Sequence, residues 1–256
     1  MAEFTEFPPG VPSWVDVSSP DMDASKAFYQ ALFGWDARDG GPDFGHYHQF
    51  FLRGKVVAGM GPTQEGQPPA WSTYLNVEDA DAVMAAVKEA GGSVMFDPMD
   101  VADMGRMGFF VDPTGAFTGI WQPGTHKGAQ LATETGTFIW NELNTRDTEA
   151  AKAFYGAVFG WESETHQMGP TSYTEFRIGG KPVGGMSDMA AMNVPPQVPA
   201  HWLVYFGVDD TDAAVATVQA NGGSLRVGPM DIHPGRFAIV ADPAGAHFAI
   251  LRPTPM

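Results

Sequence analysis

Apolar and polar positions along the chain follow a recurring order: a short alternation, one amphipathic stretch, then further alternations. Val15 and Val17 alternate with Trp14, Asp16 and Ser18, the period-two signal of a strand. Asp21-Met22-Asp23 then predicts a helix start, with Ala24, Ala27, Phe28, Ala31 and Leu32 on one face. Strand-like runs occupy 46–53 and 55–60. A second unit restarts at Trp71-Ser72-Thr73-Tyr74-Leu75-Asn76-Val77. Its helix, over 79–90, is expected to bury Val83, Ala86, Val87 and Ala90 and to stop at Gly91-Gly92. Strands are predicted near 93–96, 107–111 and 116–121, with Asp112-Pro113-Thr114-Gly115 as the turn before the last.

The whole pattern occurs twice. Phe28-Tyr29-Gln30-Ala31-Leu32-Phe33-Gly34-Trp35 returns 126 residues later as Phe154-Tyr155-Gly156-Ala157-Val158-Phe159-Gly160-Trp161. Gly54-Lys55-Val56 matches Gly180-Lys181-Pro182, Trp71 and Tyr74 match Trp202 and Tyr205, and Pro98-Met99-Asp100 matches Pro229-Met230-Asp231. Gly105-Arg106 and Asp112-Pro113 match Gly235-Arg236 and Asp242-Pro243. Collinear echoes of this kind indicate tandem duplication. The predicted architecture is α+β, four βαβββ modules in two domains. An extension (1–10) precedes the first domain (11–123), and a linker (124–136) joins it to the second (137–253).

Composition narrows the function. Without cysteine there is no disulfide framework and no thiolate chemistry. A formal charge of −16 with no Lys/Arg cluster argues against nucleic acid. No apolar run approaches the roughly 18–20 residues that span a bilayer, and no leader pattern opens the chain, so no membrane partner and a cytoplasmic location are expected. A monomer or a homodimer is compatible with four modules.

The strand, the helix carrying Phe-Tyr-x-x-(Leu/Val)-Phe-Gly-Trp and the Asp-Pro-x-Gly turn resemble the vicinal oxygen chelate superfamily, which includes glyoxalase I, extradiol dioxygenases and bleomycin-resistance proteins. Within it, the chain is similar to two-domain glyoxalase-like proteins of actinobacteria, often labelled hydroxylases. The resemblance implies two βαβββ modules per domain, forming a cupped sheet with helices outside. It also implies a divalent metal held by His or Glu on the first and last strands of each module. Here those positions fall on Trp14, Ala58–Gly59, Ser72 and Gly119, and on Trp140, Gly184–Gly185, Leu203 and Ala249. Neither set offers His, Asp or Glu, so no cofactor is expected; a divalent metal at some other site is the alternative.

Strand alternation directs other residues into the cups. Trp14, Asp16, Ser72 and Tyr74 are expected in the first, and Trp140, Glu142, Asn144 and Tyr205 in the second. Two readings stay open: an aromatic pocket for a small-molecule ligand, or tryptophans that fill a vanished metal site. Glu142 and His247 form a candidate base-and-orienter pair. Arg106 and Arg236 would either receive an anionic ligand group or pair with a nearby Asp. His46-Tyr47-His48 has the i, i+2 spacing that could hold a metal from one strand face, but it is matched only in its Tyr by Ser172-Tyr173-Thr174, and a surface hairpin is the leading reading. The leading function is metal-independent binding of a small aromatic or amphipathic molecule. The alternative is a diverged glyoxalase-, hydroxylase- or dioxygenase-type enzyme acting on a small metabolite or antibiotic.

Overall fold

A computed structural model describes residues 3–168 and 171–254. The first half contains β1 (Pro12–Ser19), α1 (Met22–Phe33), β2 (Asp36–Asp39), β3 (His48–Leu52) and β4 (Lys55–Pro62). It continues with β5 (Ala70–Asn76), α2 (Ala80–Glu89), β6 (Ser93–Val101), β7 (Gly105–Val111) and β8 (Phe117–Pro123). The second half repeats the order with β9 (Phe138–Thr145), α3 (Thr148–Phe159), β10 (Glu162–Met168), β11 (Thr171–Ile178) and β12 (Lys181–Asp188). Its last module is β13 (His201–Gly207), α4 (Thr211–Ala220), β14 (Ser224–Ile232), β15 (Gly235–Ala241) and β16 (His247–Pro253).

Each half is one eight-stranded mixed sheet, ordered β2-β3-β4-β1-β5-β8-β7-β6 and β10-β11-β12-β9-β13-β16-β15-β14. The central strands therefore come one pair from each module, as a cup built of two βαβββ units requires. Asp21, Asp79, Asp147 and Asp210 each cap a helix by accepting a backbone N–H three residues on. Gly34 and Gly160 end α1 and α3 at positive φ, where a side chain would be strained.

The buried face of α1 differs from the expectation. Ser25, Phe28, Tyr29 and Phe33 point inward, while Ala24, Ala27 and Ala31 are exposed. Burying the large rings removes far more apolar area than burying three methyl groups, so they set the rotation of the helix. On α2, Val87 is buried as expected, joined by Ala80 and Met84, while Val83, Ala86 and Ala90 are only partly covered. β2 has no apolar alternation to announce it: Asp36, Arg38 and Asp39 lie along an exposed sheet edge.

The two sheets pack back to back through their helical faces. One core joins Val15, Phe28, Tyr29 and Trp71 to Phe206, Val218 and Phe248. The other joins Leu75, Met84 and Phe110 to Leu143, Phe154 and Trp202. Tyr29 Oη donates to Asp242 Oδ2 at 2.9 Å, and Tyr155 Oη donates to Asp112 Oδ2 at 2.9 Å. Trp35 donates to the Gly136 carbonyl and Trp161 to that of Gly10. The two sequence signatures thus clasp each other across the halves. Helices lie outside each cup, one face packed against the shared cores and the other open to solvent.

Candidate functional site

The sheet face turned away from the helices is the cup face. Backbone register sets which residues meet there. Asp16 on β1 lies between Gly59 on β4 and Ser72 on β5, and Trp14 lies opposite Tyr74, which neighbours Gly119 on β8. In the second half Glu142 lies between Gly185 and Leu203, Trp140 opposite Tyr205, and Tyr205 beside Ala249. Side-chain alternation then places Trp14, Asp16, Ser72 and Tyr74 in one cup and Trp140, Glu142, Asn144 and Tyr205 in the other.

Two tyrosines absent from the sequence-based set complete these clusters. Trp14 Nε1 donates to Tyr47 Oη at 2.9 Å, and Tyr47 Oη donates to Asp16 Oδ2 at 3.0 Å. Tyr74 Oη donates to the same Oδ2 at 2.8 Å. In the second cup Trp140 Nε1 donates to Tyr173 Oη at 2.7 Å, and the Glu142 carboxyl lies against Tyr173, Tyr205, Ser187 and Asn144. The surface-hairpin reading of His46-Tyr47-His48 is therefore corrected. His46 does turn outward to Asp39, but Tyr47 turns into the cup and His48 is buried. Space makes this possible, because a Cβ at Gly59 or Gly185 would overlap the hydroxyl of Tyr47 or Tyr173. The readable signal was a Tyr persisting between otherwise different neighbours, together with a glycine repeated on the facing strand.

Burial pushes the Asp16 carboxyl up to about 6, with the tyrosine hydrogen bonds pulling the other way. The same cause raises the Glu142 carboxyl. Desolvation, then the adjacent carboxylates, raise the phenols of Tyr47, Tyr74 and Tyr205 well above their ordinary value, so these hydroxyls act as donors. His126, from the segment after β8, stands edge-on to Trp14 at 4.5 Å, and burial lowers its imidazole to about 4. A neutral ring suits that place among indoles. Trp14 is consequently buried, whereas Trp140 is partly exposed.

Other sequence-predicted residues do not join these hydrogen-bonded clusters. Arg106 pairs with Asp81 at 3.0 Å and Asp100 at 2.9 Å, and Arg236 with Asp212 at 2.6 Å and Asp231 at 3.1 Å. These pairs answer the question left open for the two arginines. His247 is exposed at the start of β16, with β13 between it and the strand carrying Glu142. Its imidazole is lowered by partial burial, Arg226 and His201, and Glu142 does not act on it. The proposed base-and-orienter pair does not form.

The metal-ligand set implied by the fold does not fit this chain. The central strands of the first cup offer Asp16 alone, flanked by Gly59 and Ser72. Those of the second carry Glu142, Asp188, His201 and His247, but among the described residues no three of these bring ligand atoms together. In each cup a tyrosine hydroxyl fills the space beside the central carboxyl. Elsewhere, ligand atoms of Glu164, His166 and Glu175 converge within 4.8 Å on β10 and β11. Arg177 already bridges both glutamates there, at 2.9 and 2.5 Å.

Paired cups from four βαβββ modules, each floored by a Trp-Tyr-carboxylate-Tyr cluster, define a tandem cupped-sheet protein. The chain belongs to the Glyoxalase/Bleomycin resistance protein/Dioxygenase superfamily, whose family model matches residues 12–118 and 137–250. It is 44% identical to the putative glyoxylase CFP32 of Mycobacterium tuberculosis, across 100% of this chain and 99% of that protein. It is 38% identical to the anthracycline biosynthesis protein DnrV of Streptomyces peucetius, covering 96% and 94%. Among solved structures, the Mn(II)-bound glyoxalase of Novosphingobium aromaticivorans superposes with a TM-score of 0.63 at 18% identity, covering 94% of this chain and 82% of that one. The 2,3-dioxygenase LapB of Pseudomonas sp. KL28 gives 0.65 at 12% identity, covering 96% and 94%. Such low identities establish a shared fold. The Mn(II) of the first neighbour stands in tension with the poor ligand set here. Among the described residues, no helix is long and apolar enough to cross a membrane.

Proposed function

We propose that this chain is a small-molecule binding protein that holds an aromatic or amphipathic ligand on its cup faces without the metal centre implied by the fold. The observation that carries this reading is the replacement of a ligand set, in both halves, by a hydrogen-bonded aromatic and carboxyl cluster beside exposed apolar side chains. Phe96, Met99 and Phe117 are 42%, 52% and 39% exposed in the first cup, and Val227 and Met230 are 40% and 41% exposed in the second. Apolar surface left open on a cup-shaped face is what a ligand covers. The relatives named for a glyoxylase and for anthracycline biosynthesis agree with small-molecule work of some kind.

A ligand screen read by tryptophan fluorescence and thermal shift tests the proposal, together with elemental analysis after dialysis. Saturable binding by metal-free protein is the expected result. Stoichiometric Mn, Fe, Ni or Zn would overturn the metal-free reading, and silence across the screen would overturn the binding reading. The enzymatic alternative draws support from the raised carboxyl of Asp16 beside two phenols, an arrangement suited to proton transfer. Turnover abolished by Asp16→Asn would favour it.

A further inference from the structure

The two cups are alike in outline and unlike in chemistry. In the first, both tyrosine hydroxyls converge on Oδ2 of Asp16, and Oδ1 has no protein partner among the described residues. The side chain keeps part of its surface in contact with solvent, and no Lys or Arg acts on it. In the second, Glu142 is only 7% exposed and is enclosed by four neutral polar side chains. One carboxylate is thus short of a counter-charge and reachable; the other is closed in.

The walls differ in the same sense. From Tyr74, whose hydroxyl touches Asp16, an aromatic path continues to Phe109 at 5.4 Å between centroids. Phe109 stacks on Phe117 at 5.1 Å and meets Phe96 edge-on at 6.0 Å. The register pairs Phe96 with Phe109 and Val111 with Phe117; in the second half it pairs Val227 with Ile239 and Ala241 with His247. The second cup therefore has Val227, Ile239 and His247 where the first has three phenylalanines. The sequence drew attention to the second half through Glu142 and His247, whereas the structure puts the more specific constellation in the first.

We propose that the first cup selects a ring-bearing amine, its ammonium group held by Asp16 Oδ1 and its ring laid against Phe109 and Phe117, and that the second cup does not share this selectivity. The proposal rests on the small-molecule reading above and assigns that ligand its chemical class and its place. An ammonium donor forms a charge-assisted hydrogen bond with the free oxygen and faces the electron-rich surface of Tyr74. Offset or edge-on contact with the phenylalanine rings supplies the apolar share. An anionic ligand would meet the carboxylate and a chain of formal charge −16, which disfavours it.

Isothermal titration of the full chain with 2-naphthylmethylamine, its neutral alcohol 2-naphthylmethanol and 2-naphthoate tests this. The expected result is one amine per chain, with the alcohol and the acid each at least about tenfold weaker, the discrimination of one charge-assisted bond. Asp16→Asn should erase the preference for amine over alcohol, and Phe117→Ser should weaken both several-fold. Asp23→Asn, at a carboxylate that is 91% exposed, removes the same charge from the surface and should leave the preference intact. Two equal amine sites per chain, or an amine preference that survives Asp16→Asn, would overturn the inference while leaving small-molecule binding standing. If none of the three probes nor the wider screen binds, both readings fall together.

Discussion

Replacing Asp16 with Asn measures what the first cup costs the fold. Burial lifts this carboxyl from the ordinary 3.8 to about 6. Folding therefore favours the protonated acid, and the benefit is complete below pH 3.8 and lost as pH rises through about 6. With a tenfold change in acidity worth about 1.4 kcal/mol, the interval amounts to about 3 kcal/mol withheld from the folded state at neutral pH. Solvent still reaches part of the side chain, so this figure is a ceiling. Asn keeps an oxygen that accepts from Tyr47 and Tyr74 but cannot ionise. The variant should therefore be more stable than the wild type at about pH 8, by up to about 3 kcal/mol, and the gain should shrink towards zero near about pH 4. For a chain of this size that is up to about 6–12 °C in Tm. Paired urea titrations across this range measure the difference, so that every other titrating group cancels. A variant less stable than the wild type at about pH 8, or a gain that ignores pH, would refute the reasoning.

Three further outcomes follow from the same geometry. Tyr29→Phe removes a donor to Asp242 and the acceptor of the Trp71 indole N–H, so it should cost about 2–4 kcal/mol in urea unfolding; a loss under about 1 kcal/mol would contradict the clasp. Gly59→Ala should drive Tyr47 out of the cup at a cost of about 1–3 kcal/mol and shift the indole N–H resonance of Trp14, and an unmoved resonance would show that the tyrosine does not sit there. Arg236→Gln should change stability by no more than about 1 kcal/mol, because its ion pairs with Asp212 and Asp231 are largely solvated.

Much of the fold was legible because duplication printed it twice. The Phe-Tyr-x-x-x-Phe-Gly-Trp and Asp-Pro-x-Gly segments lie on elements whose periodicity is strong, and their order specified four modules. The rotation of α1 was misread for a physical reason: alanines count as apolar in a pattern, yet burying Tyr29 and Phe33 removes more surface and wins. The floors of the cups were half legible. Trp14, Asp16, Tyr74 and their counterparts followed from strand alternation. Tyr47 and Tyr173 did not, because Tyr47 precedes β3 and Tyr173 sits on a strand whose partner was not yet known. Their route into the cups depends on Gly59 and Gly185, which are distant in sequence. Nor does any linear signal say that the tyrosine of one half will find the aspartate of the other.

That crossed clasp changes what a repeat means in this chain. Tyr29 is answered by Asp242 and Tyr155 by Asp112, so neither copy completes itself. A substitution in the turn of one half is registered in a helix of the other, so the cups can differ in chemistry while the clasp ties the two halves together. A fragment ending in the linker would present Phe28, Tyr29 and Trp71 to water, seeking a surface that its own sequence does not encode. What was duplicated is a half; what closes its own hydrogen bonds is the pair.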